Sequence, residues 1–113
     1  MKISISILGS TGSIGLNSLF IINKQRKDFN VNLLSANKNY RLISKQIKKY
    51  NPNYFVITDK EIFKKIKIKF KNKKTKILND FEFKRLKKKS DITISAIPGI
   101  AGLTPTLQMI KQS

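Results

Sequence analysis

A glycine-rich turn directly follows the first predicted strand of this chain. Residues 2–8 alternate isoleucine with lysine or serine, which is typical of a β-strand. Gly9, Gly12 and Gly15 then follow at three-residue intervals in what we call the glycine loop (residues 9–15), and the apolar residues that come next recur with helical spacing. A strand, a glycine turn and a helix in this order are typical of loops whose backbone amides bind phosphate groups.

Each glycine of the loop has its own expected role. Gly9 turns the chain off the strand, Gly12 lets a pyrophosphate approach the backbone, and Gly15 lets the helix pack closely on the sheet. Thr11 and Ser13 add hydroxyl donors, and the helix start adds unpaired N–H groups. A Walker loop is excluded because no Gly-Lys-Ser or Gly-Lys-Thr follows. The loop therefore favours a dinucleotide over a nucleoside triphosphate.

Strands and helices alternate along the rest of the chain. Predicted strands cover 31–36, 54–58 and 91–97, with 76–78 as a short strand or connector; predicted helices follow the glycine loop and Asp59 and cover 40–50, 81–88 and 103–110. The alternation predicts one α/β domain, a Rossmann-like, doubly wound, mainly parallel sheet with helices on both faces. The last strand is apolar enough to be expected at a buried central position.

The helix after Asp59 carries a predicted buried stripe. Ile62, Phe63, Ile66 and Phe70 recur at helical spacing, so they are expected to face the core while the lysines between them point outward. Asp59 itself is expected to cap this helix.

Composition excludes several kinds of site. The chain has no Cys and no His, which excludes a cysteine nucleophile, a Ser-His-Asp triad and a zinc site built on those ligands. Its formal charge of +18 permits a basic nucleic-acid-binding module. However, its 21 Lys, 18 Ile and 10 Asn share A/T-rich codons, so we expect a solvated basic face and no nucleic-acid partner. No apolar run approaches the ~20 residues of a membrane span, and we expect a cytoplasmic protein.

The end of the second predicted strand favours NADP over NAD. An NAD site usually places Asp or Glu there to bind the ribose 2′-hydroxyl, whereas this chain has Asn37, Lys38 and Asn39. Lys38 supplies a positive charge and Asn39 a hydrogen-bond donor, which suit a 2′-phosphate.

Four segments resemble one known family, 1-deoxy-D-xylulose 5-phosphate reductoisomerase. They are residues 7–15 (ILGSTGSIG), 35–39 (SANKN), 51–54 (NPNY) and 96–107 (AIPGIAGLTPTL). The second is similar to the family's Ala-Gly-Lys-Asn stretch, and the last to its Gly-x-Ala-Gly-Leu-x-Pro-Thr segment. In the second stretch Asn37 stands where the family usually has glycine, and asparagine tolerates a left-handed backbone better than most residues.

The resemblance implies an NADPH-dependent enzyme of the non-mevalonate isoprenoid pathway. Such enzymes convert the phosphosugar 1-deoxy-D-xylulose 5-phosphate to 2-C-methyl-D-erythritol 4-phosphate, use Mg or Mn, and are homodimers. By this resemblance, the NADPH pyrophosphate and adjoining groups would contact Thr11, Gly12, Ser13 and Ile14, and the adenosine ribose phosphate would contact Lys38 and Asn39.

The resemblance also implies that residues 1–113 are the N-terminal NADPH-binding portion of a longer enzyme. The family's metal carboxylates and substrate-binding residues match no position here, so we expect no catalytic residue, no metal ligand and no turnover in this chain alone. Two alternatives remain open at this point: another NAD(P)-dependent oxidoreductase with the same glycine spacing, and the basic nucleic-acid-binding module.

Overall fold

The computed structural model describes residues 2–80 and 89–95, which form a parallel β-sheet with helical crossovers. The elements in chain order are β1 (Ile3–Leu8), α1 (Ser13–Lys24), β2 (Phe29–Ala36), α2 (Tyr40–Tyr50), β3 (Tyr54–Ile57), α3 (Lys60–Lys69), β4 (Lys76–Leu78) and β5 (Ile92–Ser95). All four strand pairings are parallel, which confirms the predicted α/β class. The predicted helices 81–88 and 103–110 lie outside the described residues.

The strand order is β4-β3-β2-β1-β5, so the strand order reverses at β1. The chain adds β2, β3 and β4 successively on one side of β1 and then returns to add β5 on the other. In doubly wound sheets, ligands bind outside the carboxyl ends of the strands at such a reversal. The glycine loop leaves the sheet at this point.

The three helices share one face of the sheet and bury the main core against it. Ile7, Leu34 and Phe55 contribute from the strands, and Ile43 and Ile66 from the helices, all completely buried. A single face is expected because successive crossovers of one hand add strands in one direction. The predicted stripe of α3 also lies in this core, which confirms it.

The other face of the sheet is buried too. Leu8, Leu33, Tyr54 and Val56 form a second cluster that contains no residue of the three described helices. A register shift between Ile5 and Ser6 of β1 gives β2 one extra residue. The shift explains how β2 residues 31 and 34, an odd number of positions apart, both face the helices.

The expected central burial of the last strand is wrong for its described part, β5. Among the described strands β5 pairs only with β1, so it forms an edge of this sheet. Its Ile92 is accordingly 44% exposed. Of the described helices, none is long and apolar enough to cross a membrane.

Helix starts follow the local sequence. Asp59 accepts a hydrogen bond from the backbone N–H of Ile62 at 3.0 Å, which confirms it as the cap of α3. Asn39 caps α2 in the same way, accepting from the N–H of Leu42 at 3.2 Å. In contrast, α1 begins after Gly12 with no side-chain cap.

Candidate functional site

The glycine loop turns sharply at the end of β1 and is held against β2. Gly9 has φ of 82°, a left-handed conformation that favours glycine, which confirms its predicted role in the turn. Its N–H donates to the hydroxyl of Ser35 at 2.9 Å, and the N–H of Ser10 donates to the Ser35 carbonyl at 2.7 Å. These hydrogen bonds join the carboxyl end of β1 to the carboxyl end of β2 at the point where the loop begins.

Gly15 lies against the backbone of the loop itself. A Cβ atom built on Gly15 would be 2.3 Å from the carbonyl oxygen of Gly9 and 2.7 Å from the Cα of Ser10. Both are backbone atoms that cannot rotate away, so a larger residue fits only if the loop or the helix moves. Gly15 does make a close approach, but its partner is the turn that precedes the helix and not the sheet that the sequence predicts.

The start of α1 has unpaired backbone donors, those of Ser13 and Ile14 on exposed residues and that of Gly15 on a buried one. The first α-helical hydrogen bond runs from the N–H of Leu16 to the carbonyl of Gly12 at 2.8 Å. The N–H groups of Ser13, Ile14 and Gly15 have no acceptor among the described residues. The first turn also holds no acidic side chain. Unpaired amides and the positive end of the helix dipole together favour an anion here.

Gly12 has no structural need to be glycine. Its φ of −81° is open to any residue, and an added Cβ would lie 3.7 Å from the Gly9 carbonyl oxygen, an ordinary contact. Outside its two neighbours in the chain, no other described atom lies within 4 Å of that Cβ position, and Gly12 is exposed. The role predicted for Gly12, to let a pyrophosphate approach the backbone, stays a prediction.

The second predicted segment, residues 37–39, follows β2 at the same edge of the sheet. Lys38 is exposed, and Asn39 uses its side-chain oxygen to cap α2. The Asn39 amide group retains its N–H donors for a ligand. Because β2 pairs with β1, the fold places this segment beside the glycine loop.

Asn37 fits its turn without a left-handed backbone. Among the described residues other than glycine, only Asn51 has positive φ. The Asn37 side-chain oxygen accepts from the hydroxyl of Thr58 at 2.9 Å, and its carbonyl accepts from the N–H of Asp59 at 3.2 Å. The departure from the family's usual glycine therefore causes no strain here.

Comparison with known proteins decides the family. The family model described as 1-deoxy-D-xylulose 5-phosphate reductoisomerase matches residues 5–113. The chain belongs to this reductoisomerase family. The resemblance noted in the four sequence segments is thereby confirmed.

Curated reductoisomerases resemble the chain along most of its length. The enzyme of Pelagibacter ubique is 40% identical over 111 residues, which cover 95% of this chain and 29% of the relative. That of Thermodesulfovibrio yellowstonii is 41% identical over 107 residues, covering 94% of this chain and 28% of the relative. The chain thus spans somewhat less than a third of the relatives that it matches.

Solved reductoisomerase structures share the fold. The reductoisomerase from Zymomonas mobilis in complex with NADPH superposes with a TM-score of 0.88 at 27% identity, covering 99% of this chain and 30% of that one. A reductoisomerase in complex with fosmidomycin and magnesium superposes with a TM-score of 0.83 at 25% identity, covering 94% of this chain and 27% of that one. The Rossmann-like architecture is therefore confirmed.

The structure adds a buried polar contact that sequence reasoning missed. Gln46 of α2 is almost completely buried and hydrogen-bonds Ser10, the residue after the first loop glycine. A signal was present, because Gln46 lies on the apolar face that α2 forms with Ile43, Ile47 and Tyr50. In the described part of the chain, no three His, Cys, Asp or Glu side chains come together as metal ligands would.

Proposed function

We propose that this chain supplies part of the NADPH site of an enzyme that converts 1-deoxy-D-xylulose 5-phosphate to 2-C-methyl-D-erythritol 4-phosphate. Membership of the reductoisomerase family supports the reaction, and the similar structure solved with NADPH supports the cofactor. Residues 1–113 would form the Rossmann-type NADPH-binding domain. The pathway would be the non-mevalonate route to isoprenoids.

The pyrophosphate of NADPH would lie at the start of α1. There the backbone amides of Ser13 and Ile14 are unpaired within the described structure, and Thr11 and Ser13 supply hydroxyl donors. The main support for this proposal is Gly12, because neither its torsion angles nor its contacts require a glycine. A phosphate in the open space beside it does explain the missing side chain.

The 2′-phosphate of the adenosine ribose would lie at residues 38 and 39. Lys38 is exposed and brings a positive charge, while Asn39 brings an amide donor beside the start of α2. Both segments stand at the carboxyl edge of β1 and β2, next to the reversal of strand order where such ligands bind. When bound, NADPH supplies the hydride that reduces the aldehyde formed by rearrangement of the substrate.

The remaining parts of the reaction are proposed for the portion of the relatives that this chain does not span. That portion would bind the phosphosugar and a divalent metal, Mg or Mn. The similar structure solved with magnesium and fosmidomycin supports the metal. We further propose a homodimeric, cytoplasmic enzyme with no membrane or nucleic-acid partner.

The proposal is tested by titrating NADPH and NADH into the full-length protein by calorimetry. We expect NADPH to bind more tightly, and Lys38→Met to weaken NADPH about tenfold to a hundredfold while leaving NADH unchanged, since hydrogen bonds to charged groups contribute about 1.5–3 kcal/mol. Lys48→Met, which removes the same charge from an exposed position of α2, serves as the matched control.

Two results would contradict the proposed function. Equal affinity for the two cofactors would remove the 2′-phosphate site from residues 38 and 39. The proposed reaction would be contradicted if the full-length protein did not oxidise NADPH when given 1-deoxy-D-xylulose 5-phosphate and a divalent metal.

A further inference from the structure

Ser10 is a completely buried residue of the glycine loop. Its polar groups form hydrogen bonds both with Ser35 of β2 and with Gln46 of α2. Its N–H donates to the carbonyl of Ser35 at 2.7 Å, and its carbonyl accepts from Nε2 of Gln46 at 2.9 Å. Its hydroxyl donates to Oε1 of Gln46 at 2.6 Å, with the Ser35 carbonyl as a second acceptor at 3.2 Å.

Gln46 therefore binds Ser10 through both the oxygen and the nitrogen of its side-chain amide. The orientation of that amide is set by the partners, because the Ser10 carbonyl can only accept and so must face Nε2. Gln46 is 4% exposed and lies among Ile43, Ile47 and Tyr50, where an apolar residue would fill the core without desolvating an amide. The contact makes a specific link between α2 and the loop in place of a further apolar contact.

This link joins the two segments that the proposed cofactor must bridge. Ser10 lies directly before Thr11 and Gly12, and Gln46 lies two turns along the helix that Asn39 caps. A dinucleotide gains affinity from both segments only when their separation matches its own length. A bidentate hydrogen bond between buried groups holds that separation far better than exposed side chains would.

We propose that Gln46 and Ser10 are positioning residues of the NADPH site, which hold the glycine loop at the distance from residues 38 and 39 that the dinucleotide requires. This inference rests on the proposed function. Neither side chain contacts the cofactor; they act through the backbone of the loop and through α2. Ser35 completes the arrangement by bonding Gly9 and Ser10 to the end of β2.

The first test measures NADPH affinity in the full-length enzyme for Gln46→Met, Ser10→Ala and the double variant. Methionine keeps the volume of glutamine and removes its hydrogen bonds. We expect each single change to weaken NADPH about tenfold, since a buried polar group then loses its partner. The double variant should bind NADPH about as weakly as Gln46→Met alone, because that change already breaks both hydrogen bonds between Gln46 and Ser10.

A matched control comes from the same helix. Ser44 is also buried in α2, but its hydroxyl accepts from the Lys69 ammonium at 3.3 Å on α3, away from the loop. Ser44→Ala removes a partly buried hydrogen bond without touching Ser10. NADPH affinity in this variant should equal that of the wild type.

A second measurement separates positioning from general damage to the fold. Adenosine 2′-phosphate reaches only residues 38 and 39 of the proposed site, so Gln46→Met should bind it as the wild type does. If NADPH and adenosine 2′-phosphate weaken equally, Gln46 has only a structural role and the inference is overturned. Unchanged NADPH affinity in both single variants overturns it as well.

The failure of this inference can be told from the failure of the proposed function. A wild-type protein that does not bind NADPH contradicts the function, whereas a wild-type protein that binds NADPH alongside unaffected variants contradicts only the positioning role. Should Gln46→Met fail to fold, Ser10→Ala decides the question alone. That variant retains the hydrogen bond from Gln46 to the Ser10 carbonyl and leaves no empty space in α2.

Discussion

Replacing Gly15 by alanine should destabilise the fold because the new methyl group has no room. The Cβ would lie 2.3 Å from the Gly9 carbonyl oxygen and 2.7 Å and 2.9 Å from two backbone carbons of Ser10, whereas ordinary contact begins at 3.4 Å. The start of α1 must therefore move away from the loop by about 1 Å. All three neighbours are backbone atoms in a turn that β2 holds in place.

The size of the effect follows from two opposing contributions. Overpacking a well-packed site costs about 1–3 kcal/mol, and contacts with fixed backbone place this site at the upper end. Alanine returns up to about 1 kcal/mol through its higher helix propensity, with less in the first turn. We expect Gly15→Ala to lower the free energy of unfolding by about 2 kcal/mol and also to weaken NADPH.

Gly12→Ser should also weaken NADPH binding, but it should slightly stabilise the protein. Gly12 is the N-cap of α1, and its backbone angles are those of a capping residue. A serine hydroxyl there can accept from an unpaired N–H of the first turn and stabilise the protein by a few tenths of a kcal/mol. The same side chain would occupy the proposed phosphate space, so we expect NADPH to bind about tenfold more weakly.

Urea unfolding of the full-length protein, followed by circular dichroism, measures the stability of both variants, and calorimetric titration measures their NADPH affinity. A Gly15→Ala protein as stable as the wild type would refute the close approach of α1 to the loop. Wild-type affinity in Gly12→Ser would show that no phosphate lies beside that residue.

Three further predictions concern stability and are checked by unfolding experiments on the full-length protein. Asp59→Ala should lower the free energy of unfolding by about 1 kcal/mol through loss of the α3 cap, whereas Asp59→Asn retains a capping oxygen and should not. Ile66→Ala should cost about 2–5 kcal/mol because Ile66 is fully buried, while Ile68→Ala in the same helix should change stability by less than about 0.5 kcal/mol because Ile68 is 72% exposed. Burial raises the pKa of Tyr50 above its usual value of 10.0, although Arg26 lowers it. The resulting stabilisation is complete below pH 10 and is lost as the pH rises through the folded-state pKa. Tyr50→Phe should therefore lose less stability than the wild type above pH 10, and equal losses would contradict this reasoning.

Local sequence determined the elements and the core of the candidate site. The sharp turn at Gly9 and the cap at Asp59 depend on sterics and hydrogen bonds among residues a few positions apart, so a pattern in the chain suffices to predict them. The stripe of α3 was predictable because its apolar residues recur with the period of the helix. The uncapped start of α1 is also visible in the sequence, because glycine, which has no side chain, stands at the capping position.

The apolar residues of α1 show where local pattern stops being sufficient. Leu19 and Ile22 are buried, yet Ile14, Phe20 and Ile21 are each 60% exposed. All five are equally apolar, and the helix alone offers them the same environment. Which of them enter the core depends on the direction from which the sheet and α2 approach.

Tertiary structure alone decided how the site is held together. The place of β5 at the edge of the described strands, the extra residue in β2 and the contact between Gln46 and Ser10 all depend on residues distant in the chain, the last pair being 36 positions apart. Hydrogen bonds and packing of this kind form only when separate elements meet. The sequence therefore determined that a glycine turn forms after β1, and the packing of α2 against that turn decided where it stands, because only a folded chain brings their buried polar groups within bonding distance.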